Sequence, residues 1–294
     1  MKPLITVIIP CYNHKRYIID CIHSVACQDA GGIELVIVDD CSPDGSYDFI
    51  MQAFEQKKVC ESSFLSCKIM RNERNLGAHS SLNKGLDTAL GDYIAILNSD
   101  DQYEDGRLRK TLACMESRGT DFVFTGVQCI DELSNVIDSP SRKFESSLSA
   151  LDQDSFDIEF LRRNPAITSG NFVFKRKLLK NGLRFKGIKY CHDWDFLLSA
   201  HLIGSVGFID EPLYRYRFHG SNSFRGLSHV ADQETLFVLS EFIYGLYRCD
   251  GFDKLFGGYQ NWKRVFRLVD NLKRAEIINS SLLPSFPEFE AASH

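Results

Sequence analysis

Two pairs of neighbouring aspartates each follow a short apolar run of the chain. Asp39 and Asp40 end one such run, and Asp100 and Asp101 come shortly after another at 93–97. Adjacent carboxylates repel each other unless a cation or a set of hydrogen-bond donors neutralises them. Oxygen ligands suit Mg²⁺ and Mn²⁺, and Mg²⁺ is commonly held by one or two carboxylates together with phosphate oxygens of a substrate. Helix capping by aspartate is the simpler alternative for a single pair, but two pairs favour a divalent metal site.

The elements that position these carboxylates alternate between strand and helix patterns. Apolar, β-branched runs predict strands at 4–10, 34–39, 67–71, 93–97, 121–128, 171–174 and 213–218. Helical spacing of apolar residues predicts helices within 17–25, 47–54, 78–90, 106–117 and 194–202, and two more from 232 onward. This alternation predicts an α/β fold with a mainly parallel sheet covered by helices on both faces. The ligand crevice of such a sheet lies beyond the carboxyl ends of its strands, where the aspartates stand.

Composition excludes several classes of protein. The 34 basic and 39 acidic side chains leave a formal charge of -5, which gives no support to bulk attraction for nucleic acid, so we expect no nucleic-acid partner. The longest apolar runs fall far short of the roughly 20 residues that span a bilayer. The ten cysteines never form C-x-x-C, and the N-terminus lacks a secretory pattern. We therefore expect reduced thiols and a cytoplasmic location.

Six segments of the chain carry a resemblance to a known family. They read VIIPCYN at 7–13, ELVIVDDCSPDGS at 34–46, NLG and NKG at 75–77 and 83–85, YIAILNSDD at 93–101, and, more loosely, YRYRFH at 214–219. Together these segments resemble the family 2 glycosyltransferases. The resemblance implies a GT-A domain over 1–222, with a nucleotide-binding half at about 1–130 and an acceptor half at about 131–222. It leaves 223–294 as a C-terminal helical extension.

The resemblance implies an inverting transfer of a hexosyl or N-acetylhexosaminyl group from a nucleotide diphosphate, with UDP favoured, to an acceptor hydroxyl. The acceptor would be a glycan or lipid-linked glycan of a surface polysaccharide. Tyr12 matches the ring that packs on the nucleobase, Pro10 lies in the same turn, and Asp40 matches the carboxylate that hydrogen-bonds the base. Asp100 matches a ribose or base contact.

The same resemblance implies a Mn²⁺ or Mg²⁺ cofactor. Asp101 matches the direct metal ligand, and His219 matches a histidine that helps to bind the metal or the diphosphate. Asn98 stands where relatives often carry a further aspartate, and its amide oxygen can still ligate or orient. A histidine at a strand end is otherwise more often a hydrogen-bonded structural residue.

An inverting displacement needs one base that takes the proton of the acceptor hydroxyl. The family places an acidic residue for this purpose at the start of a helix, and the matching stretch here is 191–195. We predict that Asp193 is the base, with Asp195 as its competitor and His192 where an acid often stands. Each aspartate also fits a structural role as a first-turn charge that complements the helix dipole.

Other functions remain in competition with this prediction. A phosphoacceptor receiver module has an acidic strand end like 36–40, but that module is shorter and its acidic strand opens the chain. A dinucleotide-dependent oxidoreductase needs G-x-G-x-x-G after the first strand, which this chain lacks. A nucleotidylyltransferase would need a glycine-rich phosphate loop there. A donor-binding domain without catalytic activity stays open.

The parts with the weakest pattern are 134–157 and the C-terminus. The first is rich in serine and aspartate and predicts a long loop over the crevice. In the second, basic residues accompany Trp262, Phe266, Val269 and Leu272, a basic amphipathic pattern that fits peripheral contact with an anionic membrane at the inner face. Packing on its own domain or on a partner subunit, as in a homo-oligomer, is the stronger alternative.

Overall fold

The computed structural model describes residues 4–59, 63–138, 148, 159–220 and 228–248. The strands are β1 (Ile5–Cys11), β2 (Ile33–Asp39), β3 (Ser66–Arg71), β4 (Tyr93–Ile96), β5 (Gln102–Tyr103), β6 (Phe122–Ile130), β7 (Val173–Lys175) and β8 (Val206–Arg217). The helices are α1 (Ile18–Ala26), α2 (Ser46–Glu55), α3 (Ala78–Thr88), α4 (Arg107–Arg118), α5 (His192–Ile203) and α6 (Ser228–Arg248).

The strands form one eight-stranded sheet in the order β3-β2-β1-β4-β7-β6-β8-β5. Strands β3, β2, β1 and β4 pair with one another in parallel, and β6 is parallel to β8. Strand β7 runs antiparallel between β4 and β6, and β5 is antiparallel to β8. The structure thus confirms the predicted α/β class with a mainly parallel sheet.

Alternate residues of the central strands face two separate apolar clusters. On β1, Ile8 lies in the cluster that α3, α5 and α6 cover, whereas Val7 and Ile9 lie in the cluster that α1, α2 and α4 cover. Both faces of the parallel half are therefore buried. This explains why β1 and β2 read as continuous apolar runs instead of an alternating pattern.

The two-residue strand β5 and the first half of β8 were not predicted. Strand β8 begins at Val206, seven residues before the predicted strand, and its middle residues from Asp210 to Pro212 are exposed. These exposed residues interrupt the apolar pattern, so the strand signal came only from the second half, where four of five residues are buried.

Some predictions fall wholly or partly on residues that the structure does not describe. Most of 134–157 lies outside the described residues, as does the amphipathic stretch around Trp262. The first of the two helices predicted from 232 onward is α6. The predicted boundary at residue 222, between the GT-A domain and the C-terminal extension, stays a prediction. Within the described ranges, every helix is too short or too polar to cross a bilayer.

Candidate functional site

A cavity of about 540 Å³ opens at the carboxyl ends of β1, β2 and β4. Its walls come from the loops after these strands, from the turn before β7 and from the start of α5. Six residues predicted from the sequence line this cavity: Pro10, Tyr12, Asp40, Asp100, Asp101 and Asp193. The seventh, His219, is buried behind Asp100. The parallel sheet therefore brings together residues that lie up to about two hundred positions apart in the chain, as the crevice rule predicts.

One end of the cavity presents an open aromatic face. Tyr12 follows β1 directly, and its side chain is 41% exposed. The next residue, Asn13, takes a left-handed backbone conformation with φ of 59°, and its N–H donates to Ser42 Oγ at 3.1 Å. This turn directs the tyrosine away from the core, so its ring is free to stack on a planar ligand.

Asp40, at the end of the neighbouring strand β2, lines the same cavity as Tyr12. Its carboxylate is buried and accepts hydrogen bonds from Asn72 Nδ2 at 2.7 Å, from the Leu76 N–H at 2.9 Å and from the Gly77 N–H at 2.7 Å. Gly77 has a φ of 87°, which only glycine adopts readily. Oδ2 accepts one of these three bonds, so it keeps an acceptor position for a ligand N–H.

Asp100 lies between two histidines. Its Oδ2 is 3.0 Å from His219 Nε2 and 3.7 Å from His14 Nε2, while His14 Nδ1 lies 2.7 Å from Ser99 Oγ. One ligand atom from each of His14, Asp100 and His219 falls within 4.8 Å of the others. Burial raises the pKa of Asp100, but the hydrogen bond from His219 and the nearby imidazoles outweigh it, so the pKa lies below its usual value.

Asp101 points away from this cluster into the protein. Its Oδ2 accepts hydrogen bonds from the Tyr214 hydroxyl at 2.5 Å and from Asn98 Nδ2 at 3.2 Å, and its Oδ1 accepts from the Arg217 N–H at 2.8 Å. Burial and the charge of Asp100 raise the pKa of Asp101 well above its usual value. Asp101 thereby ties the loop after β4 to strand β8.

The arrangement differs from the predicted pairing of Asp101 with His219. Among the described residues, Asp100 and His14 are the groups that could ligate a metal together with His219. His14 was missed, although its place three residues after β1 puts it at the same edge of the sheet. Asn98 orients its neighbours, as its Nδ2 donates to Asp101 and to Thr168 Oγ1. Ligation of a metal by Asp101 stays a prediction.

The first turn of α5 supplies a carboxylate to the far side of the cavity. Asp193 lines the cavity, and burial raises its pKa above the usual value although the neighbouring His192 opposes the shift. Asp195 is only 2% exposed, and its Oδ1 accepts a hydrogen bond from Lys186 Nζ at 2.8 Å. Of the two candidate bases, Asp193 is therefore the one at the cavity wall.

Comparison with known proteins agrees with this geometry. The family model described as Glycosyl transferase family 2 matches residues 6–183, which is more than half of the chain. TuaG of Bacillus subtilis (strain 168), a glycosyltransferase assigned to teichuronic acid biosynthesis, is 43% identical over 125 residues, which are 42% of this chain and 47% of TuaG. The succinoglycan biosynthesis protein ExoO of Rhizobium meliloti (strain 1021) is 27% identical over 94% of this chain and 79% of its own length.

Two solved structures share the fold. Residues 1–349 of Staphylococcus aureus TarS, in complex with UDP-GlcNAc, superpose with a TM-score of 0.62 at 22% identity over 86% of this chain and 75% of that chain. The Pyrobaculum calidifontis mannosyltransferase PcManGT, in complex with GDP-Man and Mn²⁺, gives a TM-score of 0.54 at 16% identity over 94% of this chain and 82% of that chain. The predicted GT-A type of fold is thereby confirmed.

Proposed function

This chain belongs to glycosyl transferase family 2, and from that premise we propose that it transfers a sugar from UDP to an acceptor hydroxyl with inversion at the anomeric carbon. One observation carries the proposal: a single cavity is lined by an open aromatic face, by His14 and Asp100 of a cluster that His219 completes from behind, and by a carboxylate of raised pKa. Each of these three parts suits a different part of the reaction.

The donor end would recognise the nucleotide. Tyr12 would stack on the base, and Oδ2 of Asp40 would accept the ring N–H of uracil beside the turn at Pro10. TarS, which was solved with UDP-GlcNAc, supports a UDP-sugar, whereas PcManGT was solved with GDP-Man. A hexosyl or N-acetylhexosaminyl group is the sugar that we propose.

The cluster of two imidazoles and one carboxylate fits a divalent ion. His14, Asp100 and His219 would hold it, and the imidazole nitrogens favour Mn²⁺ over the harder Mg²⁺. When bound, such an ion supplies positive charge that neutralises the leaving diphosphate. Asp101 would then position Asp100 and the end of β8 instead of ligating the ion itself.

Asp193 would act as the general base on the acceptor side. As the acceptor oxygen forms its bond to the anomeric carbon, the bond from that carbon to the diphosphate breaks on the opposite face, and Asp193 takes the hydroxyl proton. A carboxylate with a raised pKa is a better proton acceptor than one with the ordinary pKa of aspartate. The names of TuaG and ExoO support a surface-polysaccharide glycan, free or lipid-linked, as the acceptor.

Titration calorimetry with UDP tests the donor end of this proposal. We expect tight binding with Mn²⁺, weaker binding with Mg²⁺, and a loss of at least tenfold in affinity in EDTA. Unchanged affinity in EDTA, or GDP bound as tightly as UDP, would contradict it.

Matched variants of the aspartate pair separate the two ligand assignments. Asp100→Asn should remove the dependence of UDP binding on Mn²⁺, whereas Asp101→Asn should retain the dependence and lower the thermal stability. The reverse result would restore Asp101 as the direct ligand.

A further inference from the structure

Helix α6 follows the segment that matches the family, and it reaches back to the cavity through one carboxylate. Glu234 accepts hydrogen bonds from three consecutive backbone groups: the N–H of Lys189 at 2.9 Å, of Tyr190 at 2.6 Å and of Cys191 at 3.0 Å. Three successive N–H groups that converge on one carboxylate form an anion-binding nest. In this protein the carboxylate comes from a separate helix.

The three residues of this nest lead directly into the catalytic wall of the cavity. Lys189 and Tyr190 line the cavity, and so do His192 and Asp193, the first residues of α5. Cys191 is the N-cap residue of α5, and its own side chain makes no capping hydrogen bond. Glu234 therefore accepts from the N–H of the N-cap residue, a donor that the glutamate of a capping box satisfies in other helices.

The helix that carries Glu234 is itself fixed to the core. Val238, Leu239, Phe242 and Ile243 of α6 are buried in the cluster that also contains Trp194 and Phe196 of α5. Because α6 is anchored by this apolar face, its carboxylate is held still relative to α5. The loop at 189–191 is thereby fixed to a rigid support.

We propose that Glu234 is a positioning residue that sets the place of the general base and of the acceptor wall. This inference rests on the proposed role of Asp193. The carboxylate of Glu234 touches no reacting atom. It acts through the backbone of the loop, and a displacement of about 1 Å at a reacting group can cost about a hundredfold in rate.

The test compares Glu234→Ala with Glu241→Ala, since Glu241 is an exposed glutamate on the same helix. We expect Glu234→Ala to lower kcat for sugar transfer by about ten- to a hundredfold and to change the Kd of UDP with Mn²⁺ by less than about twofold. Glu241→Ala should change neither quantity. Hydrogen exchange of the amides at 189–191 should become faster in Glu234→Ala alone.

Added acetate provides a readout that a purely structural role would not give. The alanine variant lacks a CH₂–COO⁻ group, so acetate can fill the vacated nest and should restore part of kcat in Glu234→Ala, with no effect on the wild type. If Glu234→Ala fails to fold, Glu234→Gln replaces it, because the amide keeps the volume and one acceptor oxygen. Its expected kcat lies between those of the wild type and the alanine variant.

Two results would overturn the proposal. One is a folded Glu234→Ala protein whose kcat stays within about twofold of the wild type, and the other is an equal loss in kcat and in UDP affinity. Both leave the proposed function standing as long as Asp193→Asn abolishes transfer. Conversely, an active Asp193→Asn enzyme defeats the proposed role of Asp193 as the base but leaves the transfer reaction standing, whereas faster amide exchange at 189–191 still reports whether Glu234 fixes the loop.

Discussion

The buried hydrogen bond from Tyr214 to Asp101 joins β8 to the loop that carries Asp100, and its removal has a calculable cost. Tyr214→Phe keeps the ring and its packing beside Arg107 but deletes the hydroxyl that donates at 2.5 Å. A hydrogen bond to a charged group contributes about 1.5–3 kcal/mol. Asp101 keeps its bonds from Arg217 and Asn98, so we expect the free energy of unfolding to fall by about 2 kcal/mol.

Urea denaturation at pH 8 measures this loss, with Tyr103→Phe as the matched control. Burial raises the pKa of Tyr214, so its hydroxyl remains a donor at that pH. Tyr103 is also buried, but its hydroxyl donates to the neutral carbonyl of Ile96 at 2.6 Å, which contributes only about 1 kcal/mol. Because burial raises the pKa of Asp101, acidification should neutralise this carboxylate, and the cost of Tyr214→Phe should shrink as the pH is lowered. A loss no larger than that of Tyr103→Phe at pH 8 would refute the reasoning.

Three further predictions concern packing, the ion site and the base. Gly85→Ala should destabilise the fold by about 1–3 kcal/mol in thermal melts, because a Cβ there would lie 2.4 Å from Ile8 Cγ2; an unchanged melting temperature would contradict that packing. His14→Ala should weaken Mn²⁺-dependent UDP binding by at least about tenfold in calorimetry, whereas the remote His23→Ala should leave it unaltered. The transfer rate should fall on acidification at a pH above the ordinary aspartate value of about 4, because Asp193 acts as a carboxylate and burial raises its pKa; an acid limb below pH 4 would argue against this base.

Most strands in the parallel half of the sheet could be predicted from the sequence. Strands β1 and β2 are long apolar runs because they are buried on both faces, and each helix that follows them has one apolar stripe. The antiparallel insertion of β7 between β4 and β6 could not be predicted from the sequence. Hydrophobic periodicity indicates that a strand is buried, but it does not indicate the direction or the neighbours of a three-residue strand.

At the site, too, the local sequence pattern predicts which residues stand at strand ends, but it does not predict contacts between residues distant in the chain. The strand-end rule placed Tyr12, Asp40 and Asp100 at one crevice, since it depends only on the strand order along the chain. Which of two adjacent aspartates meets the histidines depends on partners distant in the chain, such as Tyr214, which accounts for the orientation of Asp101. Glu234 gave no signal, because a single glutamate on an amphipathic helix resembles any solvated charge.

The central claim is that Asp193 takes the proton of the acceptor, and one pair of variants tests it most directly. Sugar transfer by Asp193→Asn and by Asp195→Asn should be measured beside their UDP affinities in Mn²⁺. Positioned bases contribute about 10² to 10⁴ in rate, so Asp193→Asn should lose at least about a hundredfold in kcat with a nearly unchanged Kd. Asp195→Asn, which alters the half-exposed ion pair with Lys186, should lose far less in kcat. Full activity of Asp193→Asn, with Asp195→Asn inactive yet able to bind UDP, would contradict the account and assign the base to Asp195.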